Sequence, residues 1–262
     1  MKHKTITTQL GKISVNIEDN GNGEPLVFMH GLFMDKTLWQ KFDSKLTGRT
    51  HIYIDMPSHG LSSNVNKRWS LDDCTSMLIE ILDALKITRC IIIGHSWGSM
   101  TGLRAAHQYP KRFSALGLFN MPFERTTGVS RVGFIFQKLM TLFPKFYAKQ
   151  AAKALYSKSF LLKHPELSEE IQTNLSQRPS KEISQCIDAI ILDAIDTKQL
   201  LNDLQVPALA VKGEADYVGI HPKIEMITVP GGHISPHEAP KEISQIIKQV
   251  VKLSSKNDIQ AR

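Results

Sequence analysis

The chain has 262 residues, of which 42% are hydrophobic and 22% charged. These are the proportions of an ordinary globular protein, and at ~150 residues per domain the length suits one large domain or two small ones. Lys and Arg outnumber Asp and Glu by 32 to 25, a net charge of +7. The basic residues form no long run interleaved with aromatics, so no nucleic-acid partner is expected.

The N-terminus is basic, Met1-Lys2-His3-Lys4, with no apolar run behind it, which is not the pattern of a secretory signal. No stretch approaches the ~20 apolar residues of a membrane helix. A cytoplasmic protein without a membrane span, monomeric or homodimeric, is expected. Cys74, Cys90 and Cys186 are widely spaced. With no CxxC and no Cys/His cluster they read as buried, reduced thiols, and no metal site is expected.

In chain order, Lys12–Glu18 alternates apolar Ile13, Val15 and Ile17 with polar residues, as a half-buried strand does. Asn20-Gly21-Asn22-Gly23 reads as a turn. Pro25–His30 is a continuous apolar run, which fits a strand covered on both faces. Leu38–Leu46 is helix-like and His51–Asp55 strand-like. Ser70 opens an amphipathic helix whose apolar face is Leu71, Met77, Leu78, Ile81, Leu82 and Leu85. Asp73 makes its start resemble a capping box, although that motif prefers Glu or Gln there. A strand at Cys90–Ile93, a helix at Gly98–Gln108 and a strand at Ala115–Phe119 follow. Strands alternating with helices predict βαβ units and a mostly parallel sheet.

The alternation breaks after Asn120. Residues 121–203 hold helical stretches, among them Asp188–Ile195, and no convincing strand. Aromatic and aliphatic residues crowd Phe134–Tyr147, and most of the aromatics from Phe134 to Phe160 are expected to pack this segment onto the sheet. Strands at Val206–Lys212 and Ile224–Val229 and a helix from Pro240 to about Leu253 complete the chain. The expected division is a core of residues 1–120 and 204–262 with a helical cap of residues 121–203.

The sharpest chemical signal is Gly94-His95-Ser96-Trp97-Gly98, a G-x-S-x-G pentapeptide between a strand and a helix. Such a turn lifts a serine hydroxyl clear of the sheet, and the glycines let neighbouring backbone approach. A serine needs a base, and the base needs an orienting acid. His233, in Pro230-Gly231-Gly232-His233, follows a strand and precedes the last helix; His237 is its rival. Asp216, in Gly213-Glu214-Ala215-Asp216, is the best-placed acid, with Glu214 and Glu124 as competitors. An oxyanion would need two N–H donors. Trp97 follows the nucleophile, and Leu32 lies in the His30-Gly31-Leu32-Phe33 loop.

Together, His30-Gly31, the Asp55–Ser62 segment, Gly94–Gly98, Gly213–Asp216 and Gly231–His233 resemble the α/β-hydrolase superfamily over nearly the whole chain. The resemblance implies an eight-stranded, mostly parallel sheet with helices on both faces. It also implies a helical cap after the sixth strand and a site between cap and sheet. It gives Asp55 and His59 structural roles and calls for no cofactor. Two departures stand out. Only 17 residues separate Asp216 from His233, so the helix usual there must be missing or reduced to a turn. The His30–Phe33 loop also lacks the Gly-rich form of some lipases. Ser at the elbow argues against the branches that use an Asp nucleophile. Ser96-Trp97-Gly98-Ser99 resembles the elbow of proline iminopeptidases without their extended loop.

The predicted activity is hydrolysis of an ester-like bond in a small apolar substrate, with Phe33, Phe123, Phe134 and Met140 lining the pocket. Some members of this superfamily use the same residues as a carbon–carbon hydrolase or a lyase, one of them in menaquinone biosynthesis, and some are ligand receptors. Those are the alternatives.

Overall fold

A computed structural model describes residues 1–42, 48–194 and 197–260. Eight strands form one sheet: β1 (Lys2–Thr8), β2 (Gly11–Asn22), β3 (Leu26–Met29), β4 (Arg49–Ile54), β5 (Cys90–His95), β6 (Phe113–Phe119), β7 (Ala208–Gly213) and β8 (Glu225–Val229). Their order is β1-β2-β4-β3-β5-β6-β7-β8. The two N-terminal pairings are antiparallel and the rest parallel.

The central strands are apolar because both their faces are covered. Along β5, Cys90 and Ile92 join one buried cluster while Ile91 and Ile93 join the other. Val27 and Met29 alternate in the same way with Leu26 and Phe28 along β3. Helices α2 (Leu71–Ala84) and α3 (Trp97–Gln108) supply the first cluster. Helix α1 (Thr37–Gln40) and the last helix, α11 (Pro240–Gln260), supply the second, together with Ile234 and Ala239 on either side of α10 (Ser235–Glu238). The α2 cap forms both arms of the box: Asp73 N–H donates to the Ser70 side chain, and Ser70 N–H donates to the Asp73 carboxylate. All three cysteines are free and buried.

Among the described residues between β6 and β7 lie six α-helices: α4 (Gly128–Met140), α5 (Pro144–Leu155), α6 (Lys158–Lys163), α7 (Glu166–Ser176), α8 (Ser180–Ile187) and α9 (Lys198–Asn202). Tyr147, Ala152, Ile171 and Leu175 bury this segment in the second cluster. Polar contacts also fix it. Asn174 donates to the Phe33 carbonyl at 3.1 Å, Arg178 to the Gly60 carbonyl, and Ser58 to the Glu182 carboxylate at 2.7 Å.

Several elements differ from the sequence reading. Strand β1 was not expected; of its side chains only Ile6 is buried, too weak a pattern to read. Asn20–Asn22 is not a turn but the end of β2, where the register with β4 slips. Helix α1 spans only Thr37–Gln40, and residues 43–46 of the expected helix lie outside the described residues. Within Asp188–Ile195 the chain makes a π-turn over Asp188–Leu192 that continues α8, and Ile195 lies outside the described residues. No helix among the described residues is long and apolar enough to cross a membrane.

Candidate active site

The loops after β3, β5, β6 and β7 all emerge at the carboxyl ends of neighbouring parallel strands. Met29 pairs with Gly94, His95 with Phe119, and Phe119 with Val211. Ligands of open α/β sheets bind at this edge.

Ser96 occupies the turn between β5 and α3 with φ +48° and ψ −109°, a conformation costly for any residue with a side chain. The surroundings enforce it. Ser96 N–H donates to the Phe119 carbonyl at 2.8 Å, and Met100 N–H to the Ser96 carbonyl at 3.0 Å. A Cβ at Gly98 would stand 2.4 Å from the Met29 carbonyl oxygen, and one at Gly94 would stand 2.5 Å from the Gly98 backbone. The turn is therefore possible only with glycine at both positions.

The Ser96 hydroxyl donates to His233 Nε2 at 3.0 Å, and His233 Nδ1–H donates to Asp216 Oδ1 at 2.9 Å. Ser96, His233 and Asp216 are all buried. Glu214 is exposed, and His237 is engaged elsewhere, by Tyr156 and Lys41. Residues 214–224, which link β7 to β8, contain no helix. The acid loop is instead pinned to the histidine loop, with Glu214 N–H donating to the Val229 carbonyl and Ala215 N–H to that of Gly231. Asp216 thus reaches His233 despite the short connection.

Three neighbours escaped the sequence reading. Asn120, at φ +52°, donates to Asp216 Oδ2 at 2.7 Å and accepts from Ser235 at 2.6 Å. Burial raises the Asp216 carboxyl, but the His233 hydrogen bond and charge, with Asn120, outweigh this and hold it below its ordinary value. The Tyr217 ring stacks on His233 with centroids 4.6 Å apart, and its hydroxyl lies 3.3 Å from Nε2. His95 Nε2–H donates to the His233 carbonyl at 2.7 Å. For Asn120 the available signal was its place just beyond a central strand.

The Trp97 and Leu32 N–H groups donate to no protein acceptor among the described residues. Next to Leu32, Phe33 has φ +68°, and its N–H donates to His59 Nε2 at 3.2 Å. His59 thus fixes the loop that carries Leu32. Asp55 fixes the same loop further on: it accepts from Lys36 N–H at 2.9 Å and from Lys36 Nζ at 2.5 Å.

Ser96 and His233 open on a cavity of ≈ 470 Å³, within the usual range for small-molecule sites. Phe33, Phe123 and Phe134 line it, with Leu32, Tyr147 and Ile190. Met140 does not, contrary to expectation. Helix α4 turns Ser130, Phe134 and Gln137 to the cavity, and Met140, six residues beyond Phe134, is rotated about 240° from it. Nor do all of the aromatics from Phe134 to Phe160 pack the helices down, although Phe134, Tyr147, Tyr156 and Phe160 do. Phe136, Leu139, Leu142, Phe143 and Phe146 are exposed.

A strained serine at a strand–helix turn is thus hydrogen-bonded to a histidine and through it to an aspartate, at the edge of an eight-stranded α/β sheet. A family model described as "alpha/beta hydrolase fold" matches residues 24–219, and the chain belongs to that family. Among curated proteins it is 23% identical over 266 residues to 3-oxoadipate enol-lactonase 2 of Acinetobacter baylyi, covering 95% of this chain and 96% of that protein. It is 33% identical over 122 residues to a putative non-heme haloperoxidase of Mycobacterium phage D29, which covers 46% of this chain and only 44% of that protein. Among solved structures, a thermophilic esterase from Thermogutta terrifontis shares the fold with a TM-score of 0.83 and 21% identity, over 97% of this chain and 99% of that one.

Proposed function

We propose that the protein is a serine hydrolase that cleaves an ester-like bond in a small, mainly apolar substrate. One observation carries this reading: the hydrogen-bonded series from Ser96 through His233 to Asp216 opens on the cavity next to two unengaged backbone N–H groups. In this reading Ser96 Oγ attacks the substrate carbonyl carbon while its proton passes to His233 Nε2. The N–H groups of Trp97 and Leu32 hold the oxyanion, and each such donor contributes about 3 kcal/mol to the transition state. Asp216 keeps the proton on Nδ1 and stabilises the imidazolium. The C–O bond to the leaving group breaks, and Nε2–H protonates the departing oxygen. Water then gives a proton to Nε2 and attacks the acyl-enzyme, releasing the acid and restoring Ser96. Helices α4–α9 act as a cap over the cavity. The relatives named as a lactonase and an esterase support hydrolysis of ester-type bonds.

The test is turnover of p-nitrophenyl esters from acetate to decanoate, with Ser96→Ala alongside. The reading requires wild-type turnover that falls to background in the variant, and the chain-length optimum then sizes the cavity. Equal inertness of both proteins would refute ester hydrolysis and favour carbon–carbon cleavage, elimination or ligand reception on the same fold.

A further inference from the structure

Helix α4 has apolar residues on two sides and no buried side chain. One side, with Phe134, faces the cavity. The other carries Val129, Val132, Phe136 and Leu139 at helical spacing, all more than half exposed. The strip runs on through Leu142, Phe143 and Phe146 of the turn and α5, which are also more than half exposed. A soluble surface rarely leaves so many large apolar side chains in one contiguous strip, and such strips mark interaction faces.

The same stretch is strongly basic. Residues 121–165 contain eight Lys and Arg and a single acidic residue, Glu124, so this segment carries a net +7, equal to the excess of the whole chain. The basic residues form no run, but they cluster by region. Lys149 and Lys153 follow Phe146 along one exposed side of α5, and Lys145 is exposed beside them. An apolar helix face edged by lysines is the pattern of a helix lying in a membrane interface. A second copy is the poorer fit, because two such faces would bring two +7 segments together.

We infer that the exposed face of α4 and the start of α5 docks on an anionic phospholipid surface, with the apolar strip entering the headgroup boundary and the lysines meeting lipid phosphates. The cavity lies directly behind α4, so docking would set it against the bilayer. The inference concerns binding alone and stands apart from the hydrolase reading.

The test is co-sedimentation of the Ser96→Ala protein, which removes any turnover, with phosphatidylcholine vesicles with and without phosphatidylglycerol. Phe136→Ser/Phe143→Ser and Lys145→Glu/Lys149→Glu are run beside it. Binding is expected to need phosphatidylglycerol, to weaken as salt shortens the screening length, and to fall at least about tenfold in each double variant, since two rings or two charges leave the interface. These sites are exposed, and unchanged circular dichroism would show that the variants fold. As a second readout, Leu139→Trp should shift its emission to the blue on mixing with the anionic vesicles. No binding to either vesicle, or undiminished binding by the Phe double variant, would overturn the inference. So would a lipid-free dimer that Phe136→Ser/Phe143→Ser converts to monomer, for the face would then belong to a second copy.

Discussion

Mild acid should destabilise this protein through histidines that the proposed chemistry does not use. Burial, together with the nearby His233, pushes the His95 imidazole down to about 3, and burial with the nearby His30 does the same to His59. Their geometry explains why. His95 donates its Nε2–H to the His233 carbonyl, while its buried Nδ1 has no partner, so a proton added there finds no acceptor. His59 accepts from Phe33 N–H through Nε2 and donates through Nδ1 to the Pro57 carbonyl, which leaves no nitrogen to protonate without breaking a bond. The unfolded chain takes up these protons near 6.5 and the native fold refuses them until about 3. A folded value below the unfolded one for a base means stability is full above 6.5 and is lost as pH falls between the two. At pH 5 the cost is about 2 kcal/mol per histidine, hence about 4 kcal/mol for the pair, against a typical total of about 5–15 kcal/mol. Asp55 and Asp216, held below the ordinary 3.8, lose their contribution only at lower pH, so this window belongs to the histidines. Urea unfolding midpoints between about pH 8 and about pH 5 measure the effect. His95→Gln, which can keep the donor to His233, should remove about half of the drop assigned to the pair. A flat stability profile, or a drop that His95→Gln leaves unchanged, would refute the reasoning.

Asp216→Asn should lower kcat about 10³- to 10⁴-fold with little change in KM. The new amide has one oxygen where Asn120 and His233 both donate, so it cannot satisfy both, and an NH₂ turned to His233 selects the wrong tautomer. Steady-state kinetics with a p-nitrophenyl ester decides this. Tyr217→Phe keeps the ring stacked on His233 but removes the hydroxyl that shares Nε2 with Ser96. It should speed phosphonylation of Ser96 by a fluorophosphonate, with loss of fluoride, on the order of two- to tenfold, the worth of one hydrogen bond; a slower reaction would mean that the hydroxyl assists Ser96.

The sequence was most legible where one physical constraint dominates. Two-sided burial makes β3, β5 and β6 continuous apolar runs, and close backbone approach forces the glycines of the Ser96 turn. The α2 cap was readable despite Asp at a Glu/Gln position, because a shorter carboxylate still spans the gap. Legibility failed where side chains serve other ends. Strand β1 is an edge strand with little to bury. The Phe-rich composition suggests packing and pocket, yet only Phe134 and Tyr147 of its aromatics reach the cavity while most of the rest face solvent. Apolar periodicity shows that a helix has a greasy face and is silent on what covers it. Asn120, Tyr217 and His95 act through contacts between loops far apart in sequence, which no local motif encodes.

The most direct measurement is the mass of the protein after reaction with a fluorophosphonate, with the adduct mapped by peptide. A single adduct is expected on the peptide bearing Ser96, absent in Ser96→Ala and slowed by orders of magnitude in His233→Ala. An adduct elsewhere, an unreactive folded wild type, or equal rates with and without His233 would contradict it.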